Sequence, residues 1–236
     1  MPRPEIIAHR GTPRVHPENS MPGFAHALEL GVAGVELDVH VTADGVPVVH
    51  HDDVLHPNGS PFGGRRIAEL RLEEVREHEL APDVRVPLLS EVCALLDGGA
   101  TVYVEIKARH AEEPVVELVG ALAARAPVHS FDHRVSRTVR ALAPDTPVGV
   151  LSVSYLVDTP AALRAAGARD LWQHWSMIDA DLVRTVHDAG GRVIAWTVND
   201  PEHAVALARL GVDGLCTDVP DTLAAALRPR AGGRAG

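Results

Sequence analysis

The chain has 236 residues, with 22 Lys and Arg against 32 Asp and Glu, a net charge of −10. That balance excludes a nucleic-acid backbone as the main partner, which requires basic stripes, and leaves room for a small anionic ligand whose charge a metal or a few arginines offset locally. Two cysteines, Cys93 and Cys216, are too few for a disulfide framework or a zinc cluster and read as buried thiols. No run of about 18 apolar residues is present, so no membrane span is expected. The first residues carry no apolar leader, which gives the expectation of a cytoplasmic protein.

Taken in chain order, short β-rich runs alternate with amphipathic, Ala/Leu-rich stretches. The first predicted strand, Ile6–His9, ends in His9-Arg10-Gly11. Arg10 offers a forked donor for a phosphate oxygen beside a glycine that lets the backbone come close. A salt bridge explains it equally well. Glu18-Asn19-Ser20 reads as the entry to helix Met21–Leu30, with Asn19 or Ser20 as its cap. The second strand, Gly34–Val39, carries Glu36 and Asp38 at i and i+2, on one face.

Residues 40–90 then form a long insertion rich in Pro, Gly and His. It holds a turn at Ala43-Asp44-Gly45 and an extra strand, Val46–His50, that runs into His50-His51-Asp52. Alternation alone does not choose between the two histidines. The regular rhythm resumes with helix Glu91–Leu96 and strand Val102–Lys107, whose end pairs Glu105 with Lys107, the single lysine of the chain. Helix Pro114–Arg125 follows, then strand Val128–Asp132, helix Val135–Leu142 and strand Val148–Ser152. The last units are helix Pro160–Ala166, strand Asp170–His174, helix Ala180–Ala189, strand Val193–Val198, helix Pro201–Leu210, strand Gly214–Thr217 and helix Pro220–Leu227. Several helices open with Pro or Ser/Asp, and glycines 31, 167, 190 and 211 mark helix ends. The Arg/Gly/Pro-rich tail from residue 229 onward is expected to fray.

Eight such units predict a (β/α)8 barrel over residues 1–228 as one catalytic domain, with the insertion between strand 2 and helix 2. An open doubly wound sheet is the runner-up, but no GxGxxG turn follows the first strand. In a barrel, Glu36, Asp38 and Glu105 converge on the face where active sites lie. Carboxylates held that close repel unless a cation sits among them, and oxygen donors favour Mg²⁺ or Ca²⁺. A salt-bridge network through Lys107 and Arg10 is the competing reading. Two imidazoles flanking such a metal suit general acid and base roles. The remaining histidines, among them His16, His26, His40, His56, His78, His110, His129, His133, His187 and His203, read as surface or loop residues without a site role. Ser130-Phe131-Asp132, Trp196-Thr197-Val198-Asn199 and Thr217-Asp218 close strands where pocket walls belong. Trp172 and Trp196 suit stacking on a cationic head group, although core packing is the safer reading of both. No serine elbow, Walker loop or Cys-His pair is found.

The ordered set Ala8-His9-Arg10-Gly11, Pro17-Glu18-Asn19-Ser20, Gly34-Val35-Glu36-Leu37-Asp38-Val39, Thr42-Ala43-Asp44-Gly45, Val48-Val49-His50-His51-Asp52 and Val104-Glu105-Ile106-Lys107 resembles the glycerophosphodiester phosphodiesterase family. Ser130-Phe131-Asp132, Trp196-Thr197-Val198-Asn199 and the segment from Gly211 to Pro220 extend the resemblance over nearly the whole chain. It implies a barrel with a small insertion after strand 2 and a divalent metal held by Glu36, Asp38 and Glu105. It also implies His9 and His51 as the catalytic pair and phosphate contacts from Arg10 and Lys107; Trp196, at its strand end, is a candidate for substrate binding. The implied reaction is cleavage of a glycerophosphodiester to glycerol 3-phosphate and an alcohol. After the His-Asp pair the family commonly continues with an Arg-Thr-Thr stretch, whereas this chain reads Leu55-His56-Pro57-Asn58-Gly59-Ser60-Pro61-Phe62. His56, Asn58 and Phe62 thereby become candidates for contact with the head group. A lysophospholipase D-type reaction ending in a cyclic phosphate is the second enzyme reading, and a non-catalytic phosphodiester-binding barrel is the third.

Overall fold

A computed structural model describes residues 3–57, 61–120 and 126–228. The candidate contact Asn58, the end of the predicted helix over 121–125 and the tail from residue 229 lie outside the described residues.

The eight predicted strands are present as β1 (Glu5–His9), β2 (Gly34–Val41), β6 (Thr101–Ile106), β7 (Val128–Ser130), β8 (Val148–Ser152), β9 (Asp170–His174), β10 (Arg192–Trp196) and β11 (Gly214–Thr217). All eight pair in parallel, in the order β1-β11-β10-β9-β8-β7-β6-β2, and β1 also pairs with β2. That last pairing closes the sheet into a (β/α)8 barrel. Helices α1 (Met21–Glu29), α3 (Leu89–Leu96), α4 (Glu112–Val119), α5 (His133–Leu142), α6 (Thr159–Ala166), α7 (Ala180–Asp188), α8 (Pro201–Leu210) and α9 (Pro220–Ala226) surround it. The local signals act as expected. Ser20, Asp132, Asp158, Asp179 and Asp200 cap their helices through the side chain, and Gly167 and Gly211 end α6 and α8 in the left-handed region.

The insertion is more structured than its composition suggested. It contains β3 (Pro47–Val49), a short helix α2 (Leu72–Arg76) and a small hairpin of β4 (Glu79–Ala81) and β5 (Val84–Arg85). β3 lies antiparallel on the end of β2, with Val39 opposite Val49. Val49 joins the main core, whereas Val48 on the other face packs with Leu55, Ile67, Leu70, Val75 and Val86. Helix α2 was not predicted because one turn and a half gives too few residues for a helical period to show.

Alternation along each strand sorts the residues into an outer face packed on helices and a face inside the barrel. Leu37, Val39, Val104 and Ile106 turn outward into one core with Phe24, Leu89 and Val115. Ile7, Tyr103, Leu151, Trp172, Ile194 and Cys216 turn inward and fill the barrel. Below this layer the Tyr103 hydroxyl donates to Glu5 at 2.8 Å, Glu5 pairs with Arg192 at 3.0 Å, and the fully buried Asp170 pairs with Arg169 at 2.7 Å. The large rings need small neighbours. A Cβ on Gly34 would lie 2.6 Å from the Tyr103 ring, and one on Gly149 would lie 3.0 Å from Trp172. The buried Tyr103 ring packs edge-on against Trp172 at 5.2 Å and has nowhere to retreat. Gly34→Ala is therefore expected to destabilise the fold by about 1–3 kcal/mol, measured by urea unfolding. A midpoint unchanged from wild type would show that the ring can shift.

Candidate active site

The inward positions above the apolar layer are polar. β1 supplies His9, β2 supplies Glu36 and Asp38, β6 supplies Glu105 and, just past its end, Lys107, and β7 supplies His129. Strand register stacks them: His9 is opposite Glu36, Asp38 opposite Glu105, and Glu105 opposite His129. With Arg10, His51, Phe131, Leu151, Trp172, Trp196 and Cys216, all of these except Asp38 line a cavity of about 230 Å³ at the C-terminal mouth of the barrel.

Besides His129, two histidines reach this cavity from different elements. His9 Nδ1 lies 2.6 Å from Asp218 Oδ1, which leaves Nε2 facing Glu36 at 3.9 Å. Asn199 in turn donates to the other Asp218 oxygen at 2.7 Å. His51 comes from the insertion and its Nδ1 lies 2.7 Å from Asp52. Its neighbour His50 is buried and donates Nδ1 to the Asp52 carbonyl at 2.9 Å. The buried His40 donates to the His51 carbonyl at 3.1 Å. The geometry thus puts His51 in the cavity and uses His40 and His50 to hold the backbone that carries it.

The carboxylates differ from one another. Burial raises Glu36 well above the ordinary glutamate range, and the charges of Asp38 and Glu105 add to the effect. Burial and the Asp38 charge raise Glu105 to about 7, although Lys107 lies 2.9 Å from it. Burial pushes Asp38 upward too, but Arg10 at 3.0 Å, Lys107 at 3.2 Å and a 2.7 Å hydrogen bond from Asn19 overcome it and hold Asp38 below its usual value. Arg10 also pairs with Glu18 at 3.1 Å. Ser20, and not Asn19, caps helix α1, while Asn19 adopts a φ of 53° and serves Asp38.

Of the residues singled out from the sequence, His9, His51, Arg10, Lys107, Glu36, Glu105 and Trp196 meet at the cavity, with Asp38 beside it. Trp172 is a core residue, stacked on His129 with centroids 4.1 Å apart. Phe62 packs on the insertion's own core, and His56 is exposed against Asp52. Reading His129 as a surface or loop residue is wrong: it is buried on β7, facing into the barrel. Burial lowers its pKa to about 3, so the ring is neutral. The signal was available, because Val128-His129-Ser130-Phe131 places His129 on the same face as Phe131. His40 and His78 are likewise buried. Asp218 was read only as part of a pocket wall; its pairing with His9 joins strands at opposite ends of the chain and leaves no local pattern.

The site fits a divalent cation. Glu36, Glu105 and His129 are all buried and can each place one donor atom within 4.8 Å of the others. Both ring nitrogens of His129 are buried with no hydrogen-bond partner among the described residues, a costly state that a cation would relieve.

Residues 9–222 match the model of the glycerophosphoryl diester phosphodiesterase family. A glycerophosphodiester phosphodiesterase of Caldanaerobacter subterraneus subsp. tengcongensis is 33% identical over 92% of this chain and 95% of its own. One of Bacillus altitudinis is 28% identical over the same shares of the two chains. Among solved structures, an Oleispira antarctica phosphodiesterase in complex with the product sn-glycerol-3-phosphate superposes with a TM-score of 0.87 at 26% identity, covering 95% of this chain and 97% of that one. A glycerophosphodiester phosphodiesterase of Parabacteroides distasonis gives 0.87 at 27% identity, with 98% and 99% covered.

The raised Glu105 has a consequence for the metal-free protein. The folded chain keeps a proton on Glu105 up to about pH 7, whereas the unfolded chain releases it near 4.5. That contribution to stability is complete below about 4.5 and is lost as the pH rises through 7. In chelator, Glu105→Gln should therefore gain in melting temperature relative to wild type as the pH is raised from about 5 to about 8. A constant difference across that range would show that Glu105 titrates normally.

Proposed function

The chain belongs to the glycerophosphoryl diester phosphodiesterase family, and on that premise we propose that it hydrolyses glycerophosphodiesters to glycerol 3-phosphate and an alcohol by metal-dependent catalysis with two histidines. The observation that carries this reading is the meeting of His9, His51, Arg10, Lys107 and the buried carboxylates at one cavity mouth. Glu36 and Glu105, with Asp38 beside them, would hold a divalent metal, and their oxygen donors taken alone suit Mg²⁺ or Ca²⁺. Such an ion would supply positive charge to offset that of the phosphate.

Arg10 and Lys107 hold the phosphate on the side facing the glycerol. Both are already anchored to Asp38, so little side-chain freedom is lost when substrate arrives. His9 is the base. Asp218 accepts a hydrogen bond from its Nδ1–H, leaving the Nε2 lone pair to take the proton of the glycerol 2-hydroxyl. That oxygen attacks phosphorus in line and expels the alcohol, to which His51 supplies a proton from Nε2 while Asp52 holds Nδ1. Water then opens the cyclic phosphate, with the two histidines exchanging roles. Trp196 and Phe131, edge-to-face at 5.4 Å, form the apolar wall on which the organic part of the substrate rests.

Release of glycerol 3-phosphate from glycerophosphocholine, glycerophosphoethanolamine, glycerophosphoglycerol and glycerophosphoinositol tests the reading, with choline release from lysophosphatidylcholine as the comparison. Metal-dependent release, abolished by chelator and lowered about 10²–10⁴-fold in His9→Ala and His51→Ala, is expected. Undiminished turnover in either variant removes that histidine from the mechanism, and release from lysophosphatidylcholine alone overturns the substrate class. Asp218→Asn should lower kcat about 10²-fold with KM little changed, because it disturbs only the orientation and tautomer of His9.

A further inference from the structure

The proposed function uses only the strand-end carboxylates for the metal, yet His129 occupies the inward position of β7 directly opposite Glu105. Its surroundings are unusual for a core histidine. It is 1% exposed, one face of the ring lies flat on Trp172, and neither nitrogen has a hydrogen-bond partner. Nε2 lies 3.9 Å from Glu36 Oε1, too far for a hydrogen bond. Two ligands that each sit about 2.0–2.2 Å from one cation are separated by up to about 4.2 Å, so 3.9 Å is a spacing that a shared ion would bridge. The stack on Trp172 prevents the ring from turning away, and the ring borders the same cavity as Glu36 and Glu105.

We propose that His129 is a nitrogen ligand of the metal, joining Glu36 and Glu105, and that this chain consequently binds Mn²⁺ or Co²⁺ in preference to Mg²⁺ or Ca²⁺. The proposal rests on the carboxylate metal site described above. An imidazole adds little affinity for the hard alkaline-earth ions, which select oxygen, and more for the first-row transition ions, which accept mixed nitrogen and oxygen donors. It also gives the buried ring the partner it lacks. His9 does not fill this role, because Asp218 already fixes its ring and the mechanism needs its Nε2 free.

The test uses the full chain, freed of metal and loaded with Mn²⁺, and reads nitrogen coupling to the ion by pulsed electron paramagnetic resonance. Wild type should show the coupling of a directly bound nitrogen, and ¹⁵N-histidine labelling should change its pattern. His9→Gln should retain the coupling and His129→Gln should lose it. His129→Gln should also weaken Mn²⁺ about tenfold or more, measured by competition with a chelator, with a smaller change for Mg²⁺. Mn²⁺ bound without nitrogen coupling in wild type overturns the role of His129 and leaves the carboxylate site standing. Coupling that persists in His129→Gln overturns it as well. If wild type binds neither Mn²⁺ nor Mg²⁺, the carboxylate site itself fails. Should His129→Gln not fold, the labelled wild type with His9→Gln and His51→Gln still decides the matter, because coupling lost in either variant would assign the nitrogen to that residue and coupling kept in both leaves His129 as the cavity's remaining imidazole.

Discussion

Glu36, Asp38 and Glu105 are buried within one register step of one another on β2 and β6, and most of the surrounding chemistry follows from the cost of holding their charges there. One carboxylate is dealt with by the protein itself. Asp38 is surrounded by Arg10, Lys107 and Asn19, which keep it ionised despite burial. The other two are not fully compensated, and each holds its proton more tightly than an ordinary glutamate. A buried charge left uncompensated is strongly destabilising unless it is neutralised or paired. The barrel therefore carries an electrostatic debt at its mouth, which a cation is suited to discharge.

The same frame explains why the site is where it is. Along β1, β6 and β11 the inward positions change from apolar to ionisable toward the mouth, so Ile7 is followed by His9, Tyr103 by Glu105 and Cys216 by Asp218. The lower layer is closed by Tyr103 and Trp172, which fit because Gly34 and Gly149 leave room for them. Trp172 borders the cavity, and Tyr103 packs edge-on against it in the layer beneath. The polar groups above then act in a medium of low polarity, where charge interactions are stronger than in water.

Much of this was legible in the residues. The eight barrel strands could be read because each is a short β-rich run bounded by a helix with its own start and stop signals, such as Asp158 with Pro160 and Gly167. Glu36 with Asp38, and Glu105 with Lys107, stood out because charged residues at alternate positions interrupt apolar strands. What escaped depended on contacts between distant parts of the chain. Asp218 matters through a histidine 209 residues away, and Asn19 through Asp38 rather than through the helix it precedes. His129 was lost among fourteen histidines, although its alternation with Phe131 at the end of the short β7 marks the inward face. The choice between His50 and His51 turned on backbone hydrogen bonds in the insertion.

The insertion packs around its own small core of Val48, Leu55, Ile67, Leu70, Val75 and Val86, distinct from the cores that hold the barrel and its helices. His9 belongs to the barrel and His51 to the insertion, so the two histidines proposed for proton transfer sit on separately packed bodies joined at the β2–β3 pairing. Separate cores can open at separate free energies. Loosening of the smaller one would carry His51 away while the barrel, the carboxylates and His9 stayed in place. Catalytic competence in such a molecule is a narrower condition than being folded. Its thermal limit is set by the least stable part that bears an essential side chain, and a melting curve dominated by the barrel would overstate the temperature at which the enzyme still works.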